Sequence, residues 1–301
     1  MKHAAVFFDK PGFEDYPFTN KKEYRPAYHE LAELVTRRGG TFSIVRSMET
    51  YQGGMTFSRG WTYEDGEFHE VTSPITPDLI YNKGRFRGDV GARVLNDPEF
   101  DHLCIDKWKT YLAFPRLSPH TVLVRNAQTL MAAVSEIECQ DLILKPVDGE
   151  EGKGIIKGTK EEILKNTQPL PYLLQEFLDT SGGIPGLVDG MHDLRLQAIA
   201  GRIILSFIRV PKPGHYLANI SQGGREIPVP LNKIPEGALE LFATVDKEIE
   251  RFANRVYTLD AALSNGKWYI IELNSQPGLS PRSYGEDYGH FLDALADLLV
   301  A

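Results

Sequence analysis

The chain is poor in almost everything that marks a specialised class of protein. It has two cysteines in 301 residues, Cys104 and Cys139, with no metal-ligand spacing between them. A disulfide framework and a zinc site are therefore not indicated, and two reduced, mostly buried thiols are expected. No run of lysine and arginine exceeds two residues, and 33 basic against 41 acidic side chains leave a net charge of −8. Such a field repels nucleic acid, so no nucleic-acid partner is expected. No apolar run approaches the roughly 20 residues of a membrane span, and the run at residues 4–8 is too short for a secretory signal. The expectation is a cytoplasmic protein with no membrane partner. Internal repeats and low-complexity segments are missing as well. What remains is 42% hydrophobic and 25% charged residues, which is enough for two or three packed units.

Periodicity places the elements. Residues 4–8 read as a buried strand, and Ala27, Leu31, Leu34 and Val35, at i, i+4, i+7 and i+8, predict an amphipathic helix stopped at Gly39. The stretches TFSIVR and PDLIYNKG supply two more strands with a hairpin-like insertion between them, so the first hundred residues form a small α/β unit. From Thr121 the pattern becomes α+β and antiparallel: a strand, a helix from the Asn126 cap to Ile137, a strand ending at Lys145, a loop, and a return strand at 155–157. After a polar connection over 180–192, two strands turn at Ala200 and Gly201. A long helix follows, with Leu241, Val245, Ile249, Phe252 and Val256 on one face. A hairpin then turns at Asn265-Gly266, the strongest hairpin signal in the chain.

The stretch LILKPVDGEEGKGI, residues 142–155, carries the first chemical clue. It is not the phosphate loop that joins a strand to a helix, because Lys153 is followed by Gly154 instead of Ser or Thr. The β pattern resumes at Ile155, so Gly149, Gly152 and Gly154 hinge a loop between two strands, able to fold over a ligand. On the last hairpin, Asp260 stands on one arm and Glu272 and Asn274 on the other, the latter two projecting from one face. Two carboxylates and an amide oxygen are the hard donors that magnesium uses when bound through a nucleotide. Alone, such residues more often form a solvated face. Lys107, Lys145, Arg195 and Arg209 have no obvious carboxylate partner nearby in sequence, and such cations hold phosphate oxygens, although each by itself is usually a surface charge.

Taken in order, Lys107, Lys145, the loop 149–154, LLQEFL at 173–178, DLR at 193–195, IRVPKPGHYLANISQGG from 208 and ELNSQPG from 272 resemble the ATP-grasp carboxylate–amine ligases. The likeness is to bacterial glutathione synthetase and the glutamate ligases that modify ribosomal protein, over about residues 105–281. The resemblance implies an ATP-grasp fold of mixed α/β and α+β class. It implies an N-terminal pre-ATP-grasp domain at 1–105, a small lid subdomain at 106–178 and a C-terminal nucleotide- and metal-binding subdomain at 179–301.

It further implies that Lys107 and Lys145 touch the phosphates of ATP and that the glycine loop covers them. The backbone from Glu176 to Leu178 would meet adenine with Gln175 beside it, and Asp193 would meet ribose. Arg209, supported by Arg195, would stabilise the transferring phosphoryl group, with Asn219 near the same oxygens, and Asp260, Glu272 and Asn274 would hold magnesium, or manganese in its place. Glu150, Glu151 and Lys153 depart from the smaller residues expected in the family's loop. The implied reaction joins a small-molecule or peptide carboxylate to an amine through an acylphosphate, and it is compatible with a homo-oligomer. A phosphotransferase, or a nucleotide-binding regulatory protein without turnover, are the alternatives on the same fold. Arg85, Arg87, Arg282 and Tyr284 are candidates to bind a substrate carboxylate, with a surface or interface role as the equal alternative.

Overall fold

The computed structural model describes residues 1–88, 93–148, 152–165, 170–216, 218 and 223–301. The first unit contains β1 (His3–Phe8), α1 (Tyr24–Arg37), β2 (Thr41–Arg46), β3 (Tyr51–Gly53), β4 (Thr56–Phe57), β5 (Gly60–Glu64), β6 (Glu67–Val71), β7 (Leu79–Asn82) and β8 (Val94–Leu95). Strands β2, β1, β7 and β8 run parallel, and the β5–β6 hairpin extends the sheet antiparallel beside β2. The predicted stripe of α1 is buried on this sheet, and Gly39 ends the helix at φ +80°, a conformation glycine adopts without strain.

Arg46, at the end of β2, is 1% exposed. Its Nη1 donates to the carbonyls of Lys10 and Tyr16 at 3.1 and 3.2 Å, and Nη2 to those of Phe13 and Asp15 at 3.3 and 3.2 Å. Its guanidinium also lies over the rings of Phe8 and Phe18. One side chain thus folds the segment between β1 and α1 onto the sheet, and burial lowers its pKa to about 10.

The middle of the chain forms α2 (Pro98–Ile105), α3 (Lys107–Ala113), β9 (Thr121–Val124), α4 (Ala127–Glu136), β10 (Asp141–Pro146), β11 (Ile156–Thr159), α5 (Lys160–Leu164) and β12 (Tyr172–Glu176). Strand order is β11-β10-β12-β9, antiparallel throughout. The Asn126 cap is a full capping box with Thr129. Alternation divides the sheet: Leu142, Leu144 and Leu174 pack on Val134, Ile137 and Ile163, while Ile143, Lys145 and Gln175 face the other way.

The third sheet is built from β13 (Asp193–Ile199), β14 (Arg202–Val210), β15 (Arg225–Pro228), β16 (Val256–Ser264) and β17 (Lys267–Asn274), with α6 (Glu236–Glu248) packed on it and α7 (Glu286–Val300) closing the chain. Its order is β15-β14-β13-β16-β17, again antiparallel. The turns at Ala200-Gly201 and Asn265-Gly266 all take positive φ, as expected.

The long helix is shorter than expected. It ends at Glu248, Phe252 lies beyond it, and Val256 opens β16. Its apolar spacing continues because Ile249, Phe252 and Tyr257 enter the same core through a turn with Asn254 at φ +57°, so periodicity outlasts the helix. The last helix returns to the first unit: Leu292, Leu295 and Leu299 share a core with Leu31 and Val35, and Arg38 reaches Asp293 and Asp297 at 3.0 and 2.6 Å. Both cysteines are unpaired, Cys104 buried and Cys139 partly buried. No helix among the described residues is long and apolar enough to cross a membrane.

Candidate active site

A cleft lies between the exposed face of the small sheet and the third sheet. Lys145 enters it from β10, where its ammonium is buried and donates to Gln175 Oε1 at 2.7 Å. Burial, with the nearby Lys107, lowers its pKa to about 8, against the pull of Glu272. Lys107 is the first residue of α3. The Asp106 cap accepts the N–H groups of Trp108 and Lys109, and the Lys107 N–H donates to the Val147 carbonyl at 3.0 Å, which fastens the start of α3 to the end of β10. Its ammonium meets Glu272 Oε1 at 2.8 Å.

The floor is a row of charges set by strand register. Asp193 stands opposite Arg209, Arg195 opposite Asp260, and Asp260 opposite Glu272. Arg209 makes a bidentate pair with Asp193 at 2.7 and 2.9 Å, and Arg195 another with Asp260 at 2.7 Å on both arms. Arg209 also reaches Asp260 Oδ2 at 2.5 Å. Burial pushes the Asp260 carboxyl upward, but the two arginines more than reverse it and hold it below the usual range. Burial raises Asp193 against the pull of Arg209, and Asp260 adds to the rise. Lys107, Arg195 and Arg209 thus find carboxylate partners far away in sequence, brought to them by the packing of the strands.

Ten of the expected residues line this cleft: Lys107, Lys145, Gly152, Gln175, Glu176, Leu178, Asp193, Arg209, Asp260 and Glu272. Arg195 and Asn274 line a wider cleft that continues from it and shares Lys107, Arg209 and Glu272. Gly154 is not among the lining residues; it sits with φ +74° against Pro146. Gly149 and Asn219, with Glu150 and Glu151, lie outside the described residues. Near Leu178 the slot is apolar, formed by Ile143, Ile155, Phe177, Met191, Ala262 and Ile271. The Glu176 and Phe177 amides are already bound to the carbonyls of His120 and Asp141, whereas the Leu178 N–H has no partner among the described residues.

Glu272 reaches the floor through a β-bulge. The pairing of β16 with β17 shifts between Asp260 and Ala261, Ile270 facing Ala261 and Glu272 facing Asp260. Ile271 is the extra residue, so Ile271 and Glu272 both line the cleft.

The residues that sequence reasoning missed supply shape more than charge. His192 is buried, its pKa lowered by that burial, with Nδ1 3.0 Å from the Gly190 carbonyl. Ile271 and Ala262 had no signal beyond strand alternation. Among the substrate-carboxylate candidates, Arg282 is tied to Glu286 and Asp293 at 2.7 Å and to Glu30 at 3.4 Å, and it does not line either cleft. Arg85 and Arg87 are exposed and line neither, while Tyr284 does line the wider one.

Two antiparallel sheets closing on a cleft of lysines and cross-paired acids, preceded by a parallel α/β unit, form an arrangement similar to the ATP-grasp fold. Residues 108–251 match the family model of the prokaryotic glutathione synthetase ATP-grasp domain. The chain is 31% identical over 153 residues to a glutathione synthetase of Nitrosomonas europaea, covering 47% of this chain and 44% of that protein. It is 28% identical over 144 residues to a probable alpha-L-glutamate ligase of Legionella pneumophila, covering 46% and 43%. The aligned region thus spans less than half the length of these curated relatives. The whole fold is similar to the solved ATP-grasp ligase PsnB complexed with minimal precursor, with a TM-score of 0.62 at 13% identity over 100% of this chain and 99% of that one.

Proposed function

We propose that this chain is an ATP- and magnesium-dependent ligase that joins a carboxylate to an amine through an acylphosphate. The observation that carries the reading is the meeting of Lys107, Lys145, Arg195 and Arg209 around Glu272, where two sheets face each other. Four cations against Asp193, Asp260 and Glu272 leave an excess of positive charge, suited to a triphosphate and to a substrate carboxylate beside it. In this reading the Leu178 N–H and the apolar slot take the base, and Lys145 and Lys107 take the phosphates. Arg209, with Arg195 beside it, steadies the oxygens of the group being transferred, with Asn219 assigned to the same oxygens. Asp193 serves the ribose end after loosening its pair with Arg209. The hinge assigned to Gly149, Gly152 and Gly154 closes the cleft so that water does not consume the acylphosphate.

Magnesium would be held by Glu272 and Asn274, with Asp260 joining if it exchanges an arginine. Glu272 and Asn274 line the same cleft and offer hard oxygen donors, the kind that magnesium takes beside nucleotide oxygens. When bound, it supplies charge to the transferring phosphoryl group. PsnB has also been solved with magnesium and ADP. The division into 1–105, 106–178 and 179–301, and a cytoplasmic setting in keeping with two unpaired thiols, belong to the same reading.

The test is ADP release from purified protein with pools of amino acids and short peptides as carboxylate and amine donors. One amide per ADP supports the ligase. A stable phosphorylated product would instead make it a phosphotransferase, and nucleotide binding without ADP under any pool would make it a regulatory protein.

A further inference from the structure

Resting on the ligase reading, the geometry points to Glu226 as the residue that binds the acceptor amine and takes its proton. The wider cleft, about 670 Å³, runs from Arg195 and Arg209 toward the first unit. Four carboxylates line it: Glu23, Asp148, Glu226 and Glu272. Glu272 is paired with Lys107. Glu23 is committed on both oxygens, accepting from Ser280 Oγ at 2.8 Å and Asn20 Nδ2 at 3.2 Å. Asp148 follows Val147, whose carbonyl accepts from the Lys107 amide, so it stands at the start of α3.

Glu226 differs from all three. It sits on β15 directly opposite Arg209 on β14, so the two side chains share the cleft face of the sheet. Its Oε2 accepts from the Tyr288 hydroxyl at 2.8 Å, and its Oε1 has no partner among the described residues. Burial, and then the charge of Glu226, keeps the Tyr288 phenol protonated well above its usual range, so Tyr288 remains a donor that orients the carboxylate. The Phe207 and Tyr284 rings both neighbour Tyr288, each with its centroid 6.5 Å away. A carboxylate with a free oxygen beside aromatic faces recognises an ammonium group. Arg209, one strand away, and Arg195, two strands away, recognise the opposite charge. The substrate class that fits is a primary amine that is cationic near neutral pH.

The chemistry follows from that placement. The ammonium loses one proton to Glu226 and becomes a free amine. Its lone pair attacks the acyl carbon, the C–N bond forms, and the C–O bond to phosphate breaks with its electrons on oxygen. The second nitrogen proton leaves with the phosphate as hydrogen phosphate, and Glu226 returns its proton to water.

Hydroxylamine separates this role from others, because it is uncharged near neutral pH and needs neither an anionic docking group nor a base. With ATP, magnesium and a pool of amino acids and short peptides as carboxylates, wild type should form a hydroxamate. E226Q should form it at a rate within about twofold of wild type. With a primary amine that wild type accepts, E226Q should raise the KM for that amine and lower kcat, a combined loss of about a hundredfold, the usual size of a general-base contribution. E226D should recover part of it. Equal amide formation by E226Q and wild type would overturn the assignment. So would loss of hydroxamate in parallel with amide, since that places Glu226 at the phosphoryl step. If wild type forms no hydroxamate from any carboxylate in the pool, the ligase reading fails first and takes this inference with it.

Discussion

Arg209 reaches past the strand beside it to bond Asp260 Oδ2 at 2.5 Å, while Arg195, on that intervening strand, holds both oxygens of the same carboxylate. Asp260 is therefore the shared counter-ion of two arginines in a position that is 0% exposed. Removing its charge should act on folding as well as on chemistry. Asp260→Asn keeps the shape but leaves two guanidinium groups short of an anion, and breaking a buried pair in this way costs about 3–5 kcal/mol. A fall in thermal midpoint of several degrees, read by calorimetry, is expected together with lost turnover. An unchanged midpoint would mean that the arginines are not dependent on Asp260.

Glu272→Gln should show the opposite division. Its side chain is 29% exposed, and it is paired through one oxygen with Lys107, so stability should hardly change. Turnover should fall by about a hundredfold or more, because charge that steadies the transferring phosphoryl group has been removed. Steady-state ADP release at matched protein concentration checks it, and undiminished turnover would refute the magnesium assignment.

Lys145 gives a pH signature. Its folded pKa of about 8 lies below the usual lysine value. Below about pH 8 both folded and unfolded chains are protonated, and the fold bears the full penalty of the buried charge. From about pH 8 up to the usual lysine range the folded chain has shed a proton that the unfolded chain still holds, so this group's contribution to stability improves as pH rises. Nucleotide phosphates favour the charged form, so ATP affinity should weaken as pH climbs through 8. In Lys145→Met that dependence should flatten, and affinity at neutral pH should drop by about ten- to a hundredfold, the worth of a charge-assisted hydrogen bond. Calorimetric titration at several pH values decides it.

Gly152 and Gly154 adopt φ of +72° and +74°, and a Cβ on Gly154 would stand 3.0 Å from Pro146. The double alanine variant should slow turnover more than it weakens nucleotide binding, because the cost falls on the hinge. Equal losses in both would argue for direct phosphate contact instead.

Arg46→Leu should be strongly destabilising even though Arg46 forms no ion pair among the described residues. Four carbonyls between Lys10 and Tyr16 lose their Arg46 donors at once, although that of Asp15 keeps the Phe18 N–H, and each part-buried acceptor left without a partner costs on the order of 1 kcal/mol. Tyr16 and Pro17 line the wider cleft, so a variant that still folds should show a raised substrate KM. Denaturant unfolding measures the first effect and kinetics the second.

The elements with local punctuation were legible in the sequence. Asn126 is a cap and Asn265-Gly266 a turn because their chemistry is settled within four residues. The end of α6 was not, because Ile249 and Phe252 serve the same core as the helix that precedes them. The charged candidates at the cleft were legible as a set, through the order of their motifs. Their pairing was not, since Arg195 and Asp260 are 65 positions apart and meet only through strand register. Glu226 carried no signal at all: a lone glutamate on a short edge strand acquires meaning only from Arg209 beside it and Tyr288 above it.

The bulge at Ile271 works as a frameshift in the alternation of β17. Counted back from the turn, where Ser264 faces Lys267 and Ala261 faces Ile270, an unbroken hairpin would set Ile271 against Asp260 and turn Glu272 toward the hydrophobic core, with Asn274 following it. Every residue of the ELN motif would still be present, spelled correctly and pointing the wrong way. The candidate site thus depends on a reading frame as well as on its letters, and a single insertion or deletion between Asn265 and Glu272 could silence it while leaving every other candidate residue intact.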